Sequence, residues 1–449
     1  MNTSTASYPR SASIRPFPFG LASLFGLHFA ACCISLTYAA DAFPGIVAFD
    51  KSHVPAAIVS AGSFAVVSIL FLITRFTFGY LLGFYFYTMI LGYLWTVQFS
   101  LLSYNHCLAI ISIYLSALAF LTPTLFITSP IRQRFALSAR TLDSLLSLIL
   151  ILAAAIVATG AFYNFKLVGL SEIYRFRETI VFPALLRYAL GATSNTLLPF
   201  AFACFVTRKN PARAGIALLL LLLFYPITLT KLTLFAPFWL LFLALLSGLV
   251  EVRIAVILSL FLPISAGVVV LLLAKDGAIP AGLGLQYFGT VNSRMIAMPS
   301  IALEVYNNYF SSHDLTHFCQ INFLRLFVSC PYNEPLSIIM SKAYDQGAFN
   351  ASLFATEGIA SVGPKLAPLS ALGCGLVIGF ANRLSSGLPG KFILLSGGVL
   401  PQVFLNVPLS TNLLSNGAAL LFLLWYLTPR TIFEEKGQTG ASHRAAITT

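Results

Sequence analysis

Cationic side chains able to hold an anion are few in this chain, and most of the informative ones stand in two stretches. The first, 164–187, reads NFKLVGLSEIYRFRETIVFPALLR and carries Lys166, Arg175, Arg177 and Arg187 beside Glu172 and Glu178. Arg175 and Arg177 are two positions apart, so on a helix they diverge by about 200°, while Arg177 would face neighbours three or four positions away. A guanidinium is permanently charged and forked, which suits bidentate phosphate binding better than an ammonium does. Such a patch beside an apolar run fits a phosphate or pyrophosphate carried by a lipid. It fits equally well lipid-headgroup contact or pairing with Glu172 and Glu178.

Lys231, in YPITLTKLTLFAPF, sits where two apolar runs meet almost without a loop. Its ammonium either snorkels to the surface or points into the same anionic site. The second stretch, about 275–363, opens with Arg294 and continues through Glu304, Tyr306 and Tyr309 to His313, Asp314 and His317. His313 and His317 share a helical face by spacing, but no third ligand or HExxH pattern accompanies them, so no metal is assigned. General-base or hydrogen-bonding work suits Asp314 and His317, with ordinary loop capping as the alternative. Tyr306, Tyr309 and Tyr332 offer rings for stacking on a sugar or for packing within the loop. Asn350-Ala351-Ser352 matches a glycosylation triplet, a pattern common by chance.

The elements that position these residues are membrane spans. The chain is 58% hydrophobic and 9% charged, with mean hydropathy +0.89, far from a soluble domain. About 20 apolar residues cross the hydrocarbon. Twelve runs qualify: 20–40, 54–74, 76–98, 107–127, 141–163, 188–206, 214–230, 232–250, 254–274, 364–382, 391–409 and 411–428. The expected fold is therefore all-α, a polytopic membrane helical bundle of about twelve transmembrane helices. A single membrane domain, 20–428, lies between tails 1–19 and 429–449. Segments 164–187 and 275–363 are its long connections, and the second is apolar enough to hold short interfacial helices.

Placing the N-terminus in the cytoplasm satisfies the positive-inside rule at every turn. One face then holds Arg75, Arg132, Arg134, Arg140, Arg208, Arg213, Arg253, Arg383, Lys391 and Arg430, with only Asp143, Glu251, Glu434 and Glu435 among the fourteen acids. The formal charge of +12 is an orientation signal, and no nucleic acid partner is expected. Both termini are expected in the cytoplasm. Of seven cysteines, Cys319 and Cys330 fall in an outer loop, where an oxidising compartment permits a disulfide. Gly79/Gly83 and Gly375/Gly379 form GxxxG pairs for close helix packing. A phosphate-binding lysine loop, a DxD pair and GxSxG are all missing from the sequence, so no nucleotide-driven chemistry is assigned and no cofactor is expected.

Four ordered pieces resemble the bacterial oligosaccharide repeat-unit polymerases, the Wzy-like O-antigen and capsule polymerases. Tyr174 and Arg177 match a Tyr-x-x-Arg-like signature before a span. Lys231 matches a lysine-containing turn between spans, although the family often shows Gly-x-Lys-Ser where this chain has Thr230-Lys231-Leu232. Arg294, Pro299, Tyr306, Tyr309 and Phe310 match an Arg-x-x-x-x-Pro element with its aromatic stretch. Asn350, Phe354, Gly358 and Gly363 match an Asn-x-x-x-Phe…Gly…Gly segment entering a late span. The resemblance covers roughly 165–430 and leaves the first five spans without a signature.

The resemblance implies a GT-C-like architecture in the bacterial inner membrane with its site on the outer face. The implied activity is a metal-independent glycosyltransferase that joins polyprenyl-pyrophosphate-linked oligosaccharides. Arg177, Arg294, Lys231 and Arg175 would bind the pyrophosphate; His317, Asp314, Glu304 and Glu178 would activate the acceptor; Tyr306, Tyr309 and Asn350 would line the sugar site. Expected partners are the lipid-linked oligosaccharide and membrane lipids, with a chain-length regulator left open. A glycan ligase using the same donor, and a flippase for lipid-linked sugars, are the alternative readings.

Overall fold

The computed structural model describes residues 18–433, apart from 170–171, 178–179, 322–323, 347–348 and 350–351. Among these, ten helices are long and apolar enough to cross a membrane: α1 Gly20–Ala42, α2 Lys51–Ile73, α3 Phe78–Phe99, α4 His106–Phe126, α5 Ala139–Tyr163, α6 Ala184–Thr207, α7 Pro211–Thr228, α8 Lys231–Leu249, α9 Val252–Lys275 and α10 Leu353–Ser385. The described residues form a helical protein with a multi-pass membrane character. Several helices start where sequence chemistry says they should. Thr77, Asn105, Ser138, Asn210 and Thr230 each accept a backbone N–H three residues on, satisfying one of the donors a helix start leaves open.

At the centre stands α3. Every residue of Phe78–Thr96 is buried, because α1, α2, α4, α9 and α10 pack round it together with the helices Met298–Tyr309 and Gly390–Gly397. Its polar groups must therefore pair within the protein. Gly79 N donates to Asn382 Oδ1 (2.7 Å) while Asn382 Nδ2 donates to Thr124 O (2.7 Å), so one amide ties α3, α4 and α10. Both GxxxG pairs grip α4. A Cβ on Gly375 would stand 2.5 Å from Phe120 O, and one on Gly379 2.9 Å from Pro123 O.

The runs 391–409 and 411–428, each expected as one span, are divided. The first becomes Gly390–Gly397 and Leu400–Phe404. The second becomes Leu409–Leu414 and Ala418–Leu427, parted at Gly417, whose φ of +77° suits glycine. Helix α10 is also less simple than its length. Gly363 (φ 71°, ψ 169°) reverses the chain, so a Cβ on Gly358 would meet that of Ala367 at 3.4 Å. Nine residues of straight helix would separate them by about 13 Å. Leu353–Ala360 is thus a short wide-wound helix folded back on Ser361–Ser385, with Phe354 against Phe86 of α3 and Phe120 of α4.

The 275–363 segment also departs from the interfacial picture. Helix Met298–Tyr309 lies inside the bundle, with Pro299–Asn307 buried and Ser300 Oγ donating to Met89 O of α3 (3.0 Å).

Gly375→Ala should lower unfolding stability in detergent by about 1–3 kcal/mol, the usual cost of overpacking. Gly373→Ala, whose added Cβ would meet nothing within 4 Å, should leave it unchanged. Thermal melts of the two purified variants decide the point.

Candidate functional site

The basic face of the sequence reading is one physical end of the bundle. Arg253 donates to Thr74 O, Arg383 to Ser129 O and Arg430 to Leu384 O and Ser386 O. At the other end the α1–α2 and α3–α4 connections pair as a short antiparallel bridge, Val47 with Ser100. The candidate residues distribute over two parts of that second end.

The first part is the turn between α7 and α8. Leu229 is buried and takes the left-handed conformation (φ 45°, ψ 46°), one that residues with a side chain rarely adopt. Thr230 then caps α8, Thr228, Thr230 and Thr233 share hydroxyl hydrogen bonds, and Lys231 is the first helical residue, half-buried. Segment 164–177 is fastened over this turn through its described residues. Lys166 N donates to Pro226 O (2.9 Å), Asn164 Nδ2 to Ile227 O (2.8 Å), and Ile173 packs with Tyr225 and Leu229. Within it, on the short helix Ile173–Arg177, Arg175 is exposed, with its guanidinium 5.8 Å from the Phe176 ring; Lys166 Nζ is 5.2 Å from that ring. Tyr174 and Arg177 lie on the same helix, but their side chains are outside the described residues, as is Glu178. A hollow of about 430 Å³ adjoins Lys166, walled by Phe162, Asn164 and Val181. The surrounding apolar groups stand out of the protein, Phe162 90% and Val181 82% exposed.

The second part surrounds the end of helix Met298–Tyr309. Tyr309 stacks on His313 with ring centroids 3.8 Å apart and an interplanar angle of 9°. Phe310 and Tyr332 close the cluster from the side. Tyr332 OH donates to Asp314 O (2.7 Å), and burial, with Tyr309 adding to it, pushes the Tyr332 phenol up to about 12. The Asp314 and His317 side chains are exposed. His317 holds a left-handed φ of 45° while its N–H donates to Ser361 O (3.1 Å) at the turn that opens α10. A Cys319–Cys330 disulfide closes the following loop.

Two expected site residues are placed elsewhere than the sequence suggested. Tyr306 is wholly buried, its ring against Phe310, so it is not open for stacking on a sugar. The reason is its helix, which enters the bundle and turns that face toward protein. Glu304 is also fully buried. Tyr104 OH donates to its Oε2 (2.7 Å), and Tyr104, Tyr93 and Asn307 continue the chain inward. Burial raises its carboxyl above the usual range, with Ser100, Tyr104 and His106 acting in the other direction. An acceptor hydroxyl has no open approach to this carboxylate. Arg294 is half-buried in the wide turn Ser293–Ala297, which packs on α1, α3 and helix Ala281–Thr290. The principal contacts of Arg294's turn thus differ from those of the Lys231 turn, so helix packing does not by itself gather the four cations. Asn350 lies outside the described residues.

One polar centre escaped the sequence reading. Glu357 is 4% exposed, accepts from Leu409 N (2.8 Å) at the start of Leu409–Leu414, and takes the Thr356 hydroxyl on its other oxygen (2.8 Å). Nearby, Asn195 Nδ2 donates to Asn416 Oδ1 and Thr196 to Asn416 O, joining the wide turn Thr193–Leu197 of α6 to the break before Gly417. A lone acid between apolar runs was the only available signal. Compared with known proteins, the chain matches no family model, no curated protein and no solved structure at a significant level.

Glu304 gives a pH signature. Its folded-state value lies above that of an unfolded Glu, near 4.3, so its contribution is complete below about pH 4 and is lost as pH rises through the folded value. Glu304→Gln should remove that loss and melt progressively higher than the parent as pH rises above about 4.5. A stability difference that does not vary with pH would contradict the assignment.

Proposed function

We propose that the chain is a polymerase of polyprenyl-pyrophosphate-linked oligosaccharide repeat units, acting at the outer face of a bacterial inner membrane. The observation that carries the reading is the chemistry at the end opposite the arginine-rich one. There a half-exposed aromatic cluster, Tyr309, His313 and Tyr332, stands beside the exposed Asp314 and His317. At that same end, cations lie beside apolar side chains that project from the protein. A sugar, an anion and a lipid chain are the three parts of the ligand such surfaces fit.

In this proposal the acceptor sugar hydroxyl attacks the anomeric carbon of the lipid-linked chain. The carbon–oxygen bond to pyrophosphate breaks with its electrons leaving on polyprenyl pyrophosphate, a new glycosidic bond forms, and the hydroxyl proton passes to His317 or Asp314. Lys231, Arg294, Arg175 and Arg177 neutralise the departing charge. The first turn of α8, which follows the left-handed Leu229, adds the backbone N–H groups of Lys231 and Leu232 that a helix start leaves open. Glu304 is assigned to hold the Tyr104–Tyr93 network in place, and Tyr306 to the packing beneath the cluster.

A second reading, a flippase for lipid-linked sugars, is favoured by one observation. Glu357 is a buried acid where interrupted helices meet, an arrangement familiar from transporters. The ligase reading shares the polymerase's site.

A glycolipid profile separates all three. Loss of the gene should leave single repeat units on lipid at the outer face and abolish long polymer. Full-length polymer stranded on lipid identifies a ligase, and units retained on the inner face identify a flippase. In the complemented strain, Lys231→Ala and Arg294→Ala, expressed at parental level, should each cut polymer about 10²-fold or more, and normal polymer from both would remove the clamp.

A further inference from the structure

The residues that orient the protein also build a hollow. At the arginine-rich end, between α5, the end of α6 and the start of α7, lies a surface cavity of about 690 Å³. Arg140, Arg208 and Arg213 line it with one acid, Asp143. Arg208 is committed to that acid: Nη1 meets Oδ1 and Nη2 meets Oδ2 at 3.1 Å. Arg213 stands over the Phe205 ring at 5.9 Å. Arg140 and Arg213 are exposed, so the hollow carries a net positive charge after the internal pair is counted.

Polarity falls off along one stripe of α5 in a definite order. Arg140, Ser144, Ser147 and Ile151 recur at three- and four-residue steps on one face, with Leu148 beside them. Leu148 and Ile151 are 58% and 67% exposed. Reading from the end of the bundle inward, the wall runs guanidinium, hydroxyl, hydrocarbon over about 16 Å of helix. A soluble anion would use only the first part. A molecule with a phosphate, a glycerol-like polar neck and an acyl chain uses all of it.

We infer that this hollow binds an anionic phospholipid, with the phosphate between Arg140 and Arg213, the neck along Ser144 and Ser147, and an acyl chain over Leu148 and Ile151. Asp143 opposes the anion and is held back by Arg208. The net positive charge selects a lipid such as phosphatidylglycerol over a zwitterionic one. Because the site lies at the opposite end from the proposed catalytic surface, its failure would leave the polymerase proposal standing, and the converse holds.

The test is native mass spectrometry of the purified full chain with phosphatidylglycerol or phosphatidylcholine. The parent should retain phosphatidylglycerol preferentially. Arg140→Ala/Arg213→Ala should weaken that retention by about tenfold or more. Asp143→Asn, which removes the opposing charge, should strengthen it, and this variant keeps the test decisive should the double variant fail to fold. Glycerol 3-phosphate at millimolar concentration should not displace the lipid. Equal retention of both lipids, unchanged retention in the variants, or displacement by glycerol 3-phosphate would each overturn the lipid site, the last by identifying a free-anion site instead.

Discussion

A helix enclosed by protein on every side can send its polar groups only into its neighbours, and α3 is such a helix. Several of its hydroxyls turn back on their own carbonyls or reach across: Thr88 to Phe84 O and His28, Tyr85 to Ser259, Tyr93 to Tyr104, whereas the buried Tyr80 hydroxyl meets no partner among the described residues. Asn382 supplies the tie between α3, α4 and α10. In a low-dielectric interior each of these bonds matters because its loss leaves an orphaned group, a cost of about 1–3 kcal/mol. The glycines on α3 and α10 follow from the same constraint. Asn382 can bridge the three backbones only if they come close, and they come close only where no Cβ intervenes.

Much of the fold is arranged around α3. Met298–Tyr309 lies beside it because Ser300 donates to Met89 O and Ile296 and Ser300 fill the space above Gly92. That placement buries Glu304 and Tyr306 and leaves Tyr309 at the rim. The aromatic cluster, the Asp314 and His317 loop and the Ser361 contact are then arranged around the end of this one helix. The folded-back Leu353–Ala360 fills the space between α3 and α4 through Phe354. The chemistry at this end of the bundle is therefore set by packing well below it.

What the sequence made legible was whatever rests on local composition. Apolar runs identified ten of the spans, since a continuous apolar stretch in one chain needs no knowledge of its neighbours. The charge asymmetry grouped Arg253, Arg383 and Arg430 at one end, and the cysteine pair was visible as an option. Composition could not distinguish a continuous helix from two short ones across 391–428. The breaks depend on Asn416 meeting Asn195 and on Glu357 meeting Leu409 N, both contacts between residues far apart in the chain. The same blindness explains Tyr306. Its neighbours Tyr309 and His313 read alike in sequence, and only the depth of the helix separates a buried ring from one at the rim.

The two ends of the bundle put their cations to different use, and the reason is the company each cation keeps. At the arginine-rich end three guanidiniums, Arg253, Arg383 and Arg430, cap carbonyls that helices leave open, and Arg430 alone donates to Trp425, Tyr426, Thr428, Leu384 and Ser386. Such an arginine is consumed by structure, and burial lowers its affinity for its proton rather than preparing it for a ligand. At the other end Lys166 and Arg175 lie over an aromatic face, while the carbonyls of the α7–α8 turn already accept from Asn164 Nδ2 and from backbone N–H groups. An aromatic face attracts a cation without occupying its donors as a carbonyl or carboxylate would. Those cations keep hydrogen-bonding capacity for an incoming anion, as the exposed Arg140 and Arg213 do at the arginine-rich end, and it is this availability, more than the number of cations, on which both the proposed pyrophosphate site and the proposed phospholipid site rest.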